Sequence, residues 1–192
     1  MKLILKSTGY VVVLTILLGG AYPALVAIAA HLIWPEKADG SFVTANGRVV
    51  GSSLIGQNFA GDRYIHPRPS AAGKEGYDGT ASTGTNLGPT SADLAKSVSA
   101  AVAAARADRP GDSRPVPADL VTSSGSGLDP HLSPDAAQWQ AARIARARGA
   151  SEEQVAAVIR RHVEGRTLAL VGEPRVNVLL TNIDLDRELP GR

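Results

Sequence analysis

The sequence predicts an α+β protein, with one transmembrane helix at the N-terminus followed by a single exported soluble α+β domain. Three observations lead to this prediction. The stretch from Ser7 to Trp34 carries no charge and exceeds the roughly 20 apolar residues that cross a bilayer. Helix-capping patterns fill the middle of the remaining chain, and β-branched runs lie at both of its ends. Strands at both ends with helices between them define an α+β domain.

The charges around the apolar stretch predict its orientation. Lys2 and Lys6 precede the stretch, whereas Glu36 and Asp39 follow it. Because positively charged flanks favour the cytoplasmic side, the N-terminus is expected in the cytoplasm and everything after the anchor outside, at the cell (inner) membrane. The predicted division is residues 1–6 cytoplasmic, residues 7–34 transmembrane and residues 35–192 extracytoplasmic.

The apolar stretch carries features of a packed membrane helix. Gly20 and Ala24 have the small-xxx-small spacing that lets a second helix approach closely. Tyr22 and Pro23 lie within the membrane, where proline is tolerated if a neighbouring helix or a local rearrangement satisfies the freed carbonyl. A cleaved signal peptide is the alternative, since AIAAH contains an A-x-A pattern, but the stretch exceeds a usual signal core of about 7 to 15 residues.

Strand and loop patterns follow the anchor. The turn signal Asn46-Gly47 before a β-branched run predicts a hairpin. Residues 61–89 are rich in Gly, Pro, Ser and Thr and lack apolar periodicity, so we expect a long loop that is functional, clamped by partners or disordered. Near the C-terminus, β-branched and leucine-rich residues predict a strand from Arg175 to about Ile183.

Three capped helices are predicted between the hairpin and the C-terminal strand. Each begins at a residue whose hydroxyl can accept a hydrogen bond from the first turn, namely Thr90 or Ser91, then Ser133, then Ser151. Gly149 and Gly165 are expected to end the second and third helices. The predicted ranges are about 91–106, 134–148 and 151–165, and the last two helices are expected to form an antiparallel-tending pair.

Composition and motifs argue against several kinds of catalytic site. The chain has no cysteine, and its 20 basic and 18 acidic residues are scattered, which excludes thiolate chemistry and gives no basic stripe for nucleic acid. The gap between Gly79 and Gly84 matches a phosphate-binding loop, but Thr85 stands where the lysine is required. The dispersed histidines belong to no metal-binding helix motif and are expected to be surface or hydrogen-bonding residues. No catalytic residue and no metal site are therefore expected.

The segment SSGSGLDPHLSP, from Ser123 to Pro134, groups serine, aspartate and histidine before a helix. Gly125, Ser126 and Gly127 are consecutive, so the G-x-S-x-G pattern of a nucleophile elbow is absent. Asp129-Pro130 is ordinary turn chemistry. The segment is therefore expected to be a rigid turn and helix entrance.

Six segments in a fixed order resemble one known family. They are GGAYP in the anchor, GSSLIGQNF from Gly51, YIHPRPSA from Tyr64, TNLGPT from Thr85, PVPADLVTSSGSGLDPHLSPDAAQWQAARIARARG from Pro115 and GEPRVNVL from Gly172. Together they are similar, nearly end to end, to the C subunit of the Kdp potassium-transporting P-type ATPase. The chain departs from the family pattern at Ser82 to Asn86, where S-G-G-S-N is usual, and at TNIDLD, where L-N-L-A-L-D is usual.

The resemblance implies a non-catalytic accessory subunit of an ATP-driven potassium import complex, bound to a potassium-channel-like subunit and an ATP-hydrolysing subunit. The family is described as a catalytic chaperone that raises ATP affinity. Because the topology puts the loops outside, away from the ATP pool, we expect any such effect to be indirect, with ATP and potassium used by the complex. Candidate partner-interface or structural residues are Gln57, Arg68, Asn86, Gly125, Gly127, Asp129 and Pro130, and candidate transmembrane packing residues are Gly20, Tyr22, Pro23 and Ala24.

Arg68 supports an alternative function of another class. It is flanked by Pro67 and Pro69, which stiffen the backbone as an anion clamp or an interface contact would need. A solvated loop arginine has the same sequence signature. If Arg68 is an anion clamp, the chain is a membrane-anchored, exported binding module that captures a small anionic ligand through Arg68 and neighbouring loop amides.

Overall fold

The structure is a computed structural model that describes residues 1–191. The chain divides into two compact units, Met1–Val43 and Thr44–Arg192. The secondary structure is α+β, as the sequence predicts.

The N-terminal unit is dominated by one apolar helix from Lys2 to Ile33. Its 32 residues include an 18-residue window with a mean hydropathy of 2.3, none of which is buried, so it is long and apolar enough to cross a membrane. The elements are α1 (Lys2–Ile16), a π-helical turn (Leu17–Ala21), α2 (Tyr22–Ile33) and the short α3 (Pro35–Ala38).

The π-helical turn has a cause in the sequence. Pro23 has no backbone N–H and its ring crowds the carbonyl four residues back, so the regular hydrogen-bond ladder cannot continue there. The helical turn contains one extra residue instead, and the Tyr22 N–H donates to the Leu17 carbonyl, five positions earlier. This is a local rearrangement of the kind that the sequence predicts around Pro23.

The predicted hairpin and long loop are both present. Strands β1 (Phe42–Ala45) and β2 (Arg48–Ser52) form a two-stranded sheet. Asn46 and Gly47 both have positive φ, 52° and 74°, as a tight hairpin turn requires. The chain then follows an irregular course through the predicted loop to Ser91.

The helix starts are confirmed at Ser91, Ser133 and Ser151, whose hydroxyls accept hydrogen bonds from N–H groups of the first turn. Gly149 ends the second helical stretch in the left-handed conformation, with φ of 65°. The observed helices are α4 (Ala92–Asp108), a 3-10 turn (Ala118–Leu120), α5 (Pro134–Trp139), α6 (Ala141–Arg148), α7 (Glu152–Arg161) and α8 (Val178–Glu188).

Two predicted helices differ from the structure in continuity or length. The helix predicted over Pro134 to Arg148 is interrupted at Gln140, whose N–H bonds to the Ala137 carbonyl, three residues back. The third helix ends at Arg161, before Gly165, because Val163 and Glu164 enter a sheet.

The strand predicted from Arg175 to Ile183 is wrong beyond Asn177. The Asn177 side chain accepts a hydrogen bond of 3.1 Å from the Leu180 N–H and so caps α8, which occupies the rest of the run. Val178, Thr181 and Leu185 are buried at helical spacing, and this periodicity outweighs the strand propensity of the single residues.

A small antiparallel sheet and four helices form the core of the C-terminal unit. The sheet has the order β3-β5-β4, with β3 (His131–Leu132), β4 (Val163–Glu164) and β5 (Arg175–Asn177). Val176 pairs with Leu132 on one side and Val163 on the other. Helices α5 to α8 pack around the sheet and bury one apolar cluster that includes Ile144, Ile159 and Leu185.

Candidate functional site

Five of the seven candidate residues lie in one set of interlocked loops, which we call the loop cluster: residues 54–56, 68–84 and 122–130. The cluster encloses a cleft of about 530 Å³. Arg68, Gly125, Asp129 and Pro130 line the cleft beside the exposed aliphatic side chains of Leu54 and Ile55. Gly127 lies in the cluster's packed interior.

The Arg68 guanidinium is held by acceptors of its own chain. It donates to the Asp129 carboxylate (3.4 Å), the Ser123 carbonyl (3.3 Å) and the Thr122 hydroxyl (3.3 Å). The Arg68 carbonyl accepts a 2.5 Å hydrogen bond from the Tyr77 hydroxyl, and burial raises the pKa of Tyr77 to about 12, so this donor keeps its proton. Arg68 therefore joins residues 68–84 to residues 122–130. An anion would have to compete with Asp129 for the Arg68 guanidinium.

Asp129 is the ionised partner in this arrangement. Burial alone would raise its pKa, but hydrogen bonds from His131 and the charge of Arg68 outweigh burial and lower the pKa below its usual value. The Asp129 carboxylate also accepts the His131 N–H at 3.0 Å, which is the turn geometry expected from the sequence. The segment from Ser123 to Pro134 is thus a turn and a helix entrance, as predicted.

Gly127 lies at a close approach between the loops. Its φ is +68°, and a Cβ there would lie 2.7 Å from the Thr83 carbonyl oxygen and 2.8 Å from the Ala72 nitrogen. The Ser70 hydroxyl donates to the Gly127 carbonyl at 2.6 Å and accepts the Tyr77 N–H. Only glycine fits this conformation and this space.

The Gly-rich stretch that resembles a phosphate-binding loop has a packing role in the cluster. A Cβ at Gly84 would lie 2.9 Å from the Gly125 carbonyl oxygen. The Ser82 hydroxyl donates to the Ser126 carbonyl at 3.0 Å. Residues 82–84 therefore pack against residues 125 and 126.

Gln57 and Asn86 lie outside the loop cluster. The Gln57 amide donates to the Val50 carbonyl at 2.9 Å, and the residue lines a separate cleft of about 310 Å³ with Phe59 and Tyr64. Asn86 is exposed and has a left-handed backbone, with φ of 52°. The structure therefore does not bring these two candidates together with Arg68.

A second arrangement, which sequence reasoning missed, holds the clamped segment, Arg63–His66. The side-chain amide of Asn182 accepts the Ile65 N–H at 2.8 Å and donates to the Ile65 carbonyl at 3.0 Å. The side-chain amide of Gln140 does the same for His66, at 2.8 and 2.9 Å. Each buried amide thus supplies the donor and the acceptor that a neighbouring strand would supply.

Two buried arginines complete the clamp. Arg148 donates from Nε to the Arg63 carbonyl at 2.7 Å, and its side chain is fully buried. Arg143 donates to the Tyr64 carbonyl at 3.1 Å, and its Nε lies 3.2 Å from the Asp108 carboxylate. The sequence held a signal for Arg148, because the buried positions 137, 141 and 144 continue at helical spacing to 148.

The histidines are hydrogen-bonded, as expected. His66 contacts the Gly61 carbonyl and Arg143, and burial followed by the Arg143 charge lowers its pKa. His162 lies 2.7 Å from the Asp184 carboxylate. Within residues 1–191, no group of three or more His, Asp or Glu side chains is placed to hold a metal ion.

The candidate transmembrane packing residues lie at one level of the apolar helix. Gly20 is in the π-helical turn, Tyr22 and Pro23 begin α2, and Ala24 follows within its first turn. A Cβ at Gly20 would meet no atom within 4 Å, and Tyr22 is 61% exposed. This level of the helix is sterically open to a second helix.

Comparison with known proteins identifies the family. The family described as KdpC, the K+-transporting ATPase c chain, matches residues 4–187. A Potassium-transporting ATPase KdpC subunit from Myxococcus xanthus is 56% identical over 92% of this chain and 83% of its own length. The same subunit from Nitratidesulfovibrio vulgaris is 52% identical over 100% of this chain and 98% of its own. The resemblance found in the sequence is confirmed, and the chain belongs to the KdpC family.

Proposed function

We propose that this chain is a non-catalytic accessory subunit of a potassium-importing ATPase, anchored by one transmembrane helix with its soluble domain on the extracytoplasmic side of the membrane. The family match carries the proposal, because it covers both the apolar helix and the domain. The flanking charges, Lys2 and Lys6 at the N-terminal end of the helix and Glu36 and Asp39 after it, support the orientation. Its partners are a potassium-channel-like subunit and an ATP-hydrolysing subunit.

The subunit acts by binding its partners and takes no part in the chemistry. An effect on ATP affinity then arises because it binds one conformation of the complex more tightly than another. A tenfold rise in ATP affinity needs a differential binding free energy of about 1.4 kcal/mol between the two conformations. The loop cluster suits such a contact, since Arg68, Asp129 and Gly127 fix its shape before binding.

The experiment is to purify the complex with and without this subunit and to measure potassium-dependent ATP hydrolysis against ATP concentration. We expect the complex lacking the subunit to assemble poorly or to show a raised KM for ATP. Assembly and ATP dependence that are unchanged without the subunit would contradict the proposal. Arg68→Ala should weaken co-purification, whereas Arg146→Ala, at an exposed position on α6, should not.

Calorimetry separates the proposal from the anion-binding alternative. Arg68 already donates to Asp129, Thr122 and Ser123, so the proposal predicts no micromolar binding of ATP or inorganic phosphate to the full chain in detergent. Micromolar binding that Arg68→Ala abolishes would favour the alternative, a binding module for a small anion.

A further inference from the structure

The segment between β4 and β5 forms a small hairpin of its own, residues 166–173, which we call the apolar tip. Thr167 and Val171 exchange backbone hydrogen bonds of 2.8 and 3.0 Å. Between them, Leu168 and Ala169 both have left-handed backbones, with φ of 53° and 59°. Non-glycine residues take up this conformation at a cost, so the surrounding hydrogen bonds must hold the turn in place. The tip is therefore a turn with a defined backbone conformation.

The apolar tip presents aliphatic side chains to solvent. Leu168, Leu170 and Val171 are 85%, 80% and 67% exposed, which makes them the most exposed large apolar residues in the described part of the soluble unit. Three such side chains on one short hairpin are a feature of a contact surface more than of scattered surface residues.

The base of the tip is charged but locally neutral. Arg166 pairs with Glu173 at 2.8 Å, and Arg175 pairs with Glu164 at 2.9 Å. The tip thus has an apolar end and a base of paired charges. Interfaces between proteins likewise combine an apolar centre that is desolvated with a polar rim that shields it.

We propose that the apolar tip inserts into an apolar pocket on another membrane-embedded subunit of the same ATPase. This inference rests on the proposed membership of the chain in a multisubunit complex. Because the tip is pre-shaped by its own hydrogen bonds, little backbone ordering opposes its insertion. The apolar helix keeps the chain in the same membrane as its partners, which raises their effective concentration. A contact of only three side chains can therefore contribute to binding.

The charges and the size of the tip separate this occupant from two others. A lipid surface is disfavoured because the ion pairs leave no basic excess for anionic headgroups, and residues 166–173 contain no Trp or Tyr for the interface. A second copy of this chain is disfavoured because an interface that alone holds two copies together buries about 800 Å² per partner, far more than three side chains provide. A subunit that other contacts already hold in the complex does not need this area at the tip.

The absence of native cysteine allows a direct test. The full chain carrying Leu170→Cys is labelled with an environment-sensitive fluorophore and placed in nanodiscs, alone and as part of the complex. We expect solvent-like emission in nanodiscs without the partners and a blue shift when they are present. A blue shift in nanodiscs alone would assign the tip to the bilayer, and one that grows with the concentration of this chain alone would assign it to a second copy; either result overturns the proposal.

A second measurement uses substitution in place of a label. Leu168→Ser with Leu170→Ser should lower recovery of the partner subunits at least tenfold in mild detergent, while Val49→Ser, at a similarly exposed position on β2, should leave recovery unchanged. Equal losses in both variants would contradict a specific tip contact. Co-purification of the unsubstituted chain separates the two proposals: if the partners are recovered but the label stays solvent-like, only the tip proposal fails, and if no partner is recovered the proposed function fails.

Discussion

The clamped segment and the apolar tip are both irregular stretches of chain, yet they are held in opposite ways. The backbone of the clamped segment bonds to four side chains that are distant in sequence: Gln140, Arg143, Arg148 and Asn182. The apolar tip bonds within itself, through Thr167 and Val171. Ile65 is fully buried in the first stretch, whereas Leu168 is 85% exposed in the second.

This difference teaches that irregular structure and mobility are separate properties. A loop whose carbonyls and N–H groups meet buried partners opens only when the core around those partners opens. A loop that bonds only to itself opens locally. The clamped segment is therefore expected to share the stability of helices α5 to α8, while the apolar tip remains available for binding.

The largest effect is expected from removing the clamp at Arg148. Its fully buried side chain serves the carbonyls of Arg63, Leu185 and Leu189 and pairs with Asp186. Arg148→Ala leaves the Arg63 and Leu189 carbonyls without this donor. Since an unsatisfied buried acceptor costs about 1–3 kcal/mol, the free energy of unfolding should fall by about 2–6 kcal/mol. Denaturant unfolding of the full chain in detergent measures this change.

The matched control for this prediction is Arg146→Ala on the same helix. Arg146 is exposed and donates to the Asp108 carbonyl at 3.0 Å. Its removal should change the unfolding free energy by less than about 1 kcal/mol. Equal effects of the two substitutions would show that the clamp adds nothing beyond an ordinary surface arginine.

A smaller loss is expected where the loop cluster is packed most tightly. Gly127→Ala puts a Cβ within 3 Å of Thr83 and Ala72 on a left-handed backbone, and should cost about 1–3 kcal/mol. Gly125→Ala is the control, because a Cβ there would meet nothing within 4 Å. Limited proteolysis reports the change, and only the Gly127 variant should be cut faster within residues 68–84.

The pH dependence of stability should report on His66, the last residue of the clamped segment. Burial and Arg143 lower its pKa below 6.5 in the folded state, so the unfolded chain binds protons more readily just below that pH. Stability from this group is therefore complete above pH 6.5 and declines as the pH falls through 6.5 towards the folded pKa. In His66→Gln, the thermal unfolding midpoint should depend less on pH between pH 7.5 and pH 5.5. An unchanged pH dependence would show that His66 is not its source.

The smallest effect is expected at the apolar tip. Leu168→Ser removes an apolar side chain that packs little against the rest of the domain, so the free energy of unfolding should stay within about 0.5 kcal/mol of the original. The same denaturant titration checks this. A loss above about 1 kcal/mol would mean that Leu168 packs against the domain and is not free to bind a partner.

The sequence predicted what local chemistry determines. Caps at Ser91, Ser133 and Ser151, the turn at Asn46-Gly47 and the apolar helix depend on neighbouring residues, and all are present in the structure. The rearrangement around Pro23 follows from its missing N–H and the steric demand of its ring. These features need no knowledge of distant contacts.

The errors have a common physical origin in tertiary contacts. The run after Asn177 has strand propensity but forms α8, because burial of one helical face outweighs propensity. Helical spacing favours a buried Arg148, but the sequence does not identify the distant carbonyls to which it donates. The contact of residue 127 with the loop at residues 72 and 83 is equally non-local.

Amide hydrogen exchange of the full chain is the most direct test of the difference between the two stretches. The N–H groups of Ile65 and His66, bonded to Asn182 and Gln140 respectively, should exchange as slowly as those of the core helices. Asn182→Ala should remove the protection at Ile65. The N–H groups of residues 166–173 should exchange fast in the isolated chain. Exchange at Ile65 and His66 as fast as in the apolar tip would contradict the account.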